Sequence, residues 1–307
     1  MRRTRRTRTC APSSISSVPR SEGSSSSAGR TTTTDRLPEH LGLIAGEGRF
    51  PFLVLEEARR LGLRVTTLLI EGEADPSLAP TPGPDFHWVR LGELSRAVRI
   101  LREAGAREAI LAGRVKHAKV FDILRPDPLT LKVLTRLRSR STEAMLLTVA
   151  DVLAEEGIAL LDSTVLLRQQ LATGGPMTRR KPGKEELESL RFGLSMAKGL
   201  SALDIGQTVV VKRMAVVAAE AMEGTDRAIR RAAEVSAGPF VVVKVARPRQ
   251  DMRFDVPVVG PGTIDSMEAA GASVLGLESG RVLLLEREEL LRRANDRGLG
   301  IYGLARE

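Results

Sequence analysis

Asp204–Pro257 reads DIGQTVVVKRMAVVAAEAMEGTDRAIRRAAEVSAGPFVVVKVARPRQDMRFDVP, and its valine runs decide the fold. Thr208–Val211 and Phe240–Val245 are short, β-branched and bounded by turn residues, which predicts two strands. Such strands alternate with helical segments along the rest of the chain, so the fold class is α/β. The valine runs carry Lys212 and Lys244 near their ends, and between them Glu220, Glu223 and Asp226 gather around Gly224. Lysines, carboxylates and the arginines of Arg247–Asp255 at strand ends suit a phosphate handled through a hard divalent cation.

Toward the N-terminus, order is expected from Leu41. LGLIAG predicts a buried strand, Glu47–Arg49 a glycine-flanked turn, and Pro51 the first turn of a helix over Phe52–Leu61. Val65–Ile70 completes a β-α-β unit. Gly46 and Gly48, with Glu71 after the second strand, form part of a dinucleotide fingerprint, but Pro51 replaces its third glycine. A tight turn before a helix and a nucleotide contact both account for this pattern. Ala109–Ala112 is a further strand. Arg114, Lys116 and His117 follow it, at the carboxyl end where open α/β sheets place ligand loops. A solvated basic loop is the alternative. Asp122 is a candidate for positioning substrate, whereas Asp127 before Pro128 marks a helix start. A helical stretch is expected over Leu129–Glu156. Thr173–Lys184, rich in glycine, proline and basic residues, is expected as a linker or lid.

Composition narrows the function. The chain has 307 residues and a net charge of +9, but residues 1–36 hold eight arginines against Glu22 and Asp35, which leaves only +3 for the remainder. Aromatic residues make up 3%, too few for base-stacking platforms, so no nucleic-acid partner is expected for the folded part. One cysteine, Cys10, excludes an intrachain disulfide and a thiolate metal cage. No apolar run reaches membrane-spanning length, so a soluble protein is expected, and the single cysteine fits a reducing cytoplasm. Residues 1–39 are rich in Ser, Thr and Arg and poor in core-forming residues, which predicts a disordered tail. Its composition resembles a transit peptide, although Pro12 and Pro19 oppose an amphipathic helix. The expected division is 1–39 tail, a 40–165 domain built on the β-α-β unit and a 166–307 second α/β domain.

The chemistry is bounded by what is missing. His40, His87 and His117 are the only histidines, too few for a histidine-rich two-metal site. A P-loop, an HExxH helix and a Ser-His-Asp arrangement are also absent. A bound metal would be held by carboxylate oxygens, which suits Mg²⁺ or Mn²⁺.

The strings DIGQTVVVK, AEAMEGTD, VKVARPRQDMRFDVPVVGPGTI and, near the front, LGLIAGEGRFP resemble the LpxI-type UDP-2,3-diacylglucosamine pyrophosphatases of lipid A synthesis. The likeness runs from about Leu41 to the C-terminus. It implies a Rossmann-like domain without nicotinamide chemistry, a second catalytic domain and a substrate cleft between them. It also implies Mg²⁺-dependent hydrolysis to UMP and 2,3-diacylglucosamine 1-phosphate, with attack on the phosphorus nearer the sugar. The lipid substrate implies a protein that is cytoplasmic or peripheral at the inner membrane, and a bacterial family makes the tail a dispensable extension or the result of a misplaced start codon. The motif match carries over Asp226, Lys244, Asp251, Arg253 and Asp255 as catalytic candidates. Gln207, Lys212 and Gln250 join Gly46, Gly48, Arg114, Lys116 and Asp122 as substrate-binding candidates. Glu220, Glu223, Asp226, Asp251 and Asp255 are the metal-binding candidates. Met214 departs from the pattern, in a turn where a smaller residue is expected.

If Gln250–Asp255 is extended, Asp251, Arg253 and Asp255 share one face and Met252 and Phe254 the other. That would aim acid, base and acid at the cleft; a structural ion-pair strip is the alternative. A non-catalytic nucleotide-sugar or dinucleotide-binding module remains the competing class, with a lipid carrier or scaffold as a third.

Overall fold

In the computed structural model, residues 37–79, 85–115, 126–137, 142–236 and 238–305 are described. Residues 1–36 of the tail and the positions of Lys116, His117 and Asp122 lie outside them.

The first half alternates strand and helix: β1 (His40–Ala45), α1 (Phe50–Arg60), β2 (Arg64–Ile70), β3 (Phe86–Val89), α2 (Leu94–Ala104) and β4 (Glu108–Ala112). After them come α3 (Pro128–Arg136), α4 (Thr142–Glu155) and β5 (Ala159–Leu160). The strands form one parallel sheet in the order β3-β2-β1-β4-β5, the doubly wound arrangement expected of a Rossmann-like domain. Leu68, Val98, Leu101, Leu153 and Ile158 fill the space between this sheet and its helices. The helical stretch expected over Leu129–Glu156 is thus two helices. Asp127 caps the first, as its position before Pro128 predicts, by accepting a 2.9 Å hydrogen bond from the Thr130 amide.

The second half contains β6 (Gly175–Pro176), α5 (Lys184–Ala202), β7 (Thr208–Lys212), β8 (Ala215–Ala219), α6 (Thr225–Val235) and β9 (Val241–Lys244). It continues through β10 (Val258–Val259), α7 (Pro261–Ala269), β11 (Val274–Glu278), β12 (Leu283–Leu284), α8 (Arg287–Asp296) and β13 (Gly300–Leu304). Its main sheet is mixed, in the order β6-β13-β11-β9-β7-β8, with β9, β11 and β13 parallel. The valine runs are buried on both faces. Val209, Val211, Val241 and Val243 pack with Leu190 and Leu194 of α5. Val210 and Val242 pack with Ile229, Ile264 and Leu290 of α6, α7 and α8.

Two expectations are corrected. Thr173–Lys184 is no lid: Gly175–Pro176 pairs antiparallel with β13, and Thr178 accepts a 2.9 Å bond from the Ile301 amide. Gln250–Asp255 is not extended. Asp251 accepts from the Arg253 amide through its side chain at 3.1 Å, while its carbonyl accepts from the Phe254 and Asp255 amides. An aspartate that binds the backbone two residues ahead favours a turn, and here it overrides the polar-apolar alternation. The face shared by Asp251, Arg253 and Asp255 therefore does not form.

Met214 does sit in a demanding turn. Arg213 and Met214 connect β7 to β8 with φ of 46° and 63°, a conformation that favours Gly, Asn or Asp.

Candidate functional site

Lys244 is the last residue of β9 and shares strand parity with Val242, so its side chain extends along the α6 face of the sheet. There its Nζ donates to Thr225 Oγ1 at 2.6 Å. Thr225 opens α6 and donates to Glu220 Oε1 at 3.0 Å, with Thr208 Oγ1 another 3.3 Å away. Glu220 Oε2 accepts from the Gln207 amide at 3.3 Å. This proximity explains Gly206, since a Cβ there would lie 2.1 Å from the Glu220 carbonyl oxygen.

A second layer comes from the turn after β9. Gln250 accepts from the Gln207 side chain and the Arg247 amide, each at 2.9 Å, and donates to Asp255 Oδ2 at 2.7 Å. Arg247 also pairs with Asp255. Burial pushes the Lys244 ammonium below the ordinary lysine value, and the charges of Glu220, Asp226 and Asp255 pull it back up. Asp226 Oδ1 is buried and has no hydrogen-bond partner among the described residues.

The structure thus brings together Gln207, Glu220, Asp226, Lys244, Gln250 and Asp255. It places other candidates elsewhere. Glu223 is tied to Arg231 at 2.6 Å and to the Ala221 amide. Asp251 is held by Arg253 at 2.7 and 3.0 Å, and the Arg253 guanidinium lies 4.8 Å from the Phe254 ring centre. Burial works to raise the Asp251 carboxyl, but Arg253 outweighs it and holds the carboxyl below the usual range. Lys212 lies at the far end of β7: Thr208 pairs with Lys244, whereas Lys212 pairs with Ala215 across the hairpin. The proposed metal-ligand set is accordingly dispersed. Among the described residues, no three of His, Cys, Asp or Glu are grouped so as to hold a metal ion.

On the parallel sheet, Gly46 and Arg114 meet where the strand order reverses, between β1 and β4. The Gly46 amide donates to Ala112, and Glu47 and Arg114 exchange two backbone bonds at 2.8 and 2.9 Å. A Cβ on Gly46 would lie 2.6 Å from the Arg114 carbonyl oxygen. Gly46 is thus explained by the close approach of two loops, and its amide and that of Glu47 already have partners. Gly48 and the Arg114 side chain are exposed at this edge.

Three features carry no obvious sequence signal. Glu278, 1% exposed, accepts from Lys198 Nζ at 2.6 Å and from the Ala246 amide at 2.8 Å. Lys198 also donates to the Ala246 carbonyl at 3.1 Å, so one peptide segment after Lys244 is gripped at both polar atoms. Ser163 Oγ lies 2.7 and 2.8 Å from the Leu111 and Arg253 carbonyls, shares its single proton between them, and joins the turn to the end of β4. Thr225 was also missed: it lies between Gly224 and Asp226 in AEAMEGTD, but only its bonds to Lys244 and Glu220 mark it.

Residues 40–170 match the family profile of the LpxI N-terminal domain, and residues 173–302 match that of the LpxI C-terminal domain. The chain belongs to the LpxI family. The UDP-2,3-diacylglucosamine pyrophosphatase LpxI of Caulobacter vibrioides is 32% identical to it over 275 residues, covering 86% of this chain and 97% of that protein. The resemblance drawn from the C-terminal strings and LGLIAGEGRFP is therefore correct. In this LpxI chain the Lys244 cluster lies within the C-terminal family domain, while the Gly46–Arg114 edge lies within the N-terminal one.

Proposed function

We propose that this protein hydrolyses the pyrophosphate of UDP-2,3-diacylglucosamine to UMP and 2,3-diacylglucosamine 1-phosphate. The observation that carries the reading is the buried Lys244, bonded to Thr225 and influenced by Glu220, Asp226 and Asp255, in a chain of the LpxI family. A positive charge already held in a low-dielectric cluster can neutralise charge on a phosphoryl oxygen without reorganising at the moment of reaction. Lys244 serves this role, with Thr225 and Glu220 fixing its ammonium. Gln207, Gln250 and Asp255 order the adjoining turn, and the exposed Arg114 is available to a phosphate at the edge of the parallel sheet.

The residues fit a sparsely held Mg²⁺ or Mn²⁺. Mg²⁺ commonly takes one or two carboxylates, with water and substrate phosphates completing its shell. Asp226, with its buried and unpartnered Oδ1, suits that mode. Asp226 would hold the ion. When bound, the ion supplies charge neutralisation and Lewis-acid polarisation of the phosphoryl group.

Water attacks the phosphorus nearer the sugar, its oxygen enters the sugar phosphate, and UMP leaves with the bridging oxygen. Hydrolysis in heavy-oxygen water tests this: the label should appear in 2,3-diacylglucosamine 1-phosphate and not in UMP. Label in UMP would place the attack on the other phosphorus, and absence of either product from a folded sample would overturn the function. No described helix is long and apolar enough to cross a membrane. We place the protein in the cytoplasm, taking its lipid substrate at the membrane surface.

A further inference from the structure

Three loops converge beside the Lys244 cluster. They are the α5–β7 connection, the β8–α6 connection and the turn after β9. Their proximity is fixed by contacts: Gly206 abuts the Glu220 carbonyl, Gln207 bonds Gln250 at 2.9 Å, and Arg247 lies 2.7 Å from Asp204. Two of these loops hold large apolar side chains out into solvent. Leu203 is 72% exposed, Ile205 49% and Met222 fully exposed. The third presents Pro248 and Arg249, both exposed, and Arg227 is exposed on the first turn of α6.

Scattered apolar residues on a surface are ordinary, but three grouped on adjoining loops at the rim of a buried polar site are not accounted for by the core. The acids among them are already paired: Asp204 with Arg247, and Glu223 with Arg231. What the rim offers outward is apolar tips flanked by arginines. That combination matches an interface where acyl chains lie just beneath anionic phosphates.

We infer that Leu203, Ile205 and Met222 form a docking rim that inserts shallowly into an anionic lipid surface, seating the Lys244 site over membrane-held substrate. This rests on the proposed lipid substrate and commits to a bilayer as the occupant. The apolar tips would enter the acyl boundary while Arg249 and Arg227 meet phosphates. An extracted lipid could then pass to the cluster without its chains crossing open water.

The test is co-sedimentation of the full chain with phosphatidylglycerol–phosphatidylethanolamine vesicles, comparing wild type with the triple variant Leu203→Ser/Ile205→Ser/Met222→Ser. The arginine-rich tail will itself attract anionic vesicles. Binding is therefore measured at about 1 M salt, where the screening length is about 3 Å and apolar insertion persists. The wild type should partition at least about tenfold more strongly than the variant. Both should keep the same melting temperature and the same hydrolysis of detergent-dispersed substrate. Equal partitioning, or no high-salt binding by either protein, would overturn the rim. So would a dimer in the wild type that dissociates in the variant, since the patch would then be covered by a second copy. Vesicle binding that follows the rim while detergent-dispersed substrate stays intact would instead count against the hydrolase reading and leave the docking surface standing.

Discussion

Lys244 Nζ and Thr225 Oγ1 stand 2.6 Å apart, and the threonine hydroxyl in turn donates a hydrogen bond to Glu220 at 3.0 Å. The last residue of β9 and the first residue of α6 are thereby fixed to each other, and a buried ammonium is held by a neutral hydroxyl rather than by direct contact with a carboxylate. Thr225→Val keeps the shape and removes the relay. It should cost about 1–3 kcal/mol, because Lys244 and Glu220 each lose a buried partner. Turnover should fall by at least about tenfold. Urea unfolding and kcat together check this, and an unchanged kcat would show that the relay does not orient Lys244.

The same lysine sets a pH dependence. Its folded pKa lies below the ordinary 10.5, chiefly through burial. Between those two values the unfolded chain binds more protons than the folded one, so Lys244 makes stability rise with pH across that window. Activity should move the other way, falling as the ammonium is lost at a pH below the ordinary lysine titration. A turnover profile flat through that range would remove the Lys244 charge from the reaction.

Asp251 and Arg253 should behave as a structural pair. Both side chains remain partly solvated, at 26% and 37% exposure, so Asp251→Asn should cost about 1 kcal/mol or less. The carboxyl is held below its ordinary 3.8, so its contribution is present above that value and lost as pH falls through the lowered one. Wild type and variant should therefore converge in stability in acid, with turnover little changed. A loss of turnover by orders of magnitude would return Asp251 to the reacting centre.

Glu278 should act through the peptide it grips. Glu278→Gln leaves the Lys198 ammonium without its carboxylate and should cost about 3 kcal/mol. Lys198→Met/Glu278→Gln removes both charges and should recover most of that loss. Thermal unfolding of the single and double variants distinguishes this from simple packing, where the two losses would add.

The valine strands were legible because a strand covered on both faces must be apolar throughout, and Val209–Val211 and Val241–Val243 are. The six residues from Gln250 to Asp255 misled because alternation alone suggests a strand, while the Asp251 side chain bends the backbone. Acids close in sequence also looked like one cluster. Glu220 and Asp226 do lie toward Lys244, but Glu223 is turned aside by Arg231 on α6. Lys198 and Glu278 are brought together only by tertiary packing, so no local pattern announces them. Lys212 matched the family string, yet strand length carries it to the other end of β7. Lys212→Ala should accordingly leave kcat within about threefold of wild type, since this half-buried side chain lies at the opposite end of β7 from Lys244.

Asp226 and Lys244 are proposed to form the reacting centre, with Asp226, whose Oδ1 is buried and unpartnered among the described residues, as the group that would hold a metal ion. The most direct measurement is phosphorus NMR of UDP-2,3-diacylglucosamine turnover by Asp226→Asn, beside Mg²⁺ titrations of the melting temperature in both proteins. The variant should fold normally, lose at least about a hundredfold in kcat, and lose the stabilisation that Mg²⁺ gives the wild type. Full turnover by Asp226→Asn with an unchanged Mg²⁺ response would contradict the account.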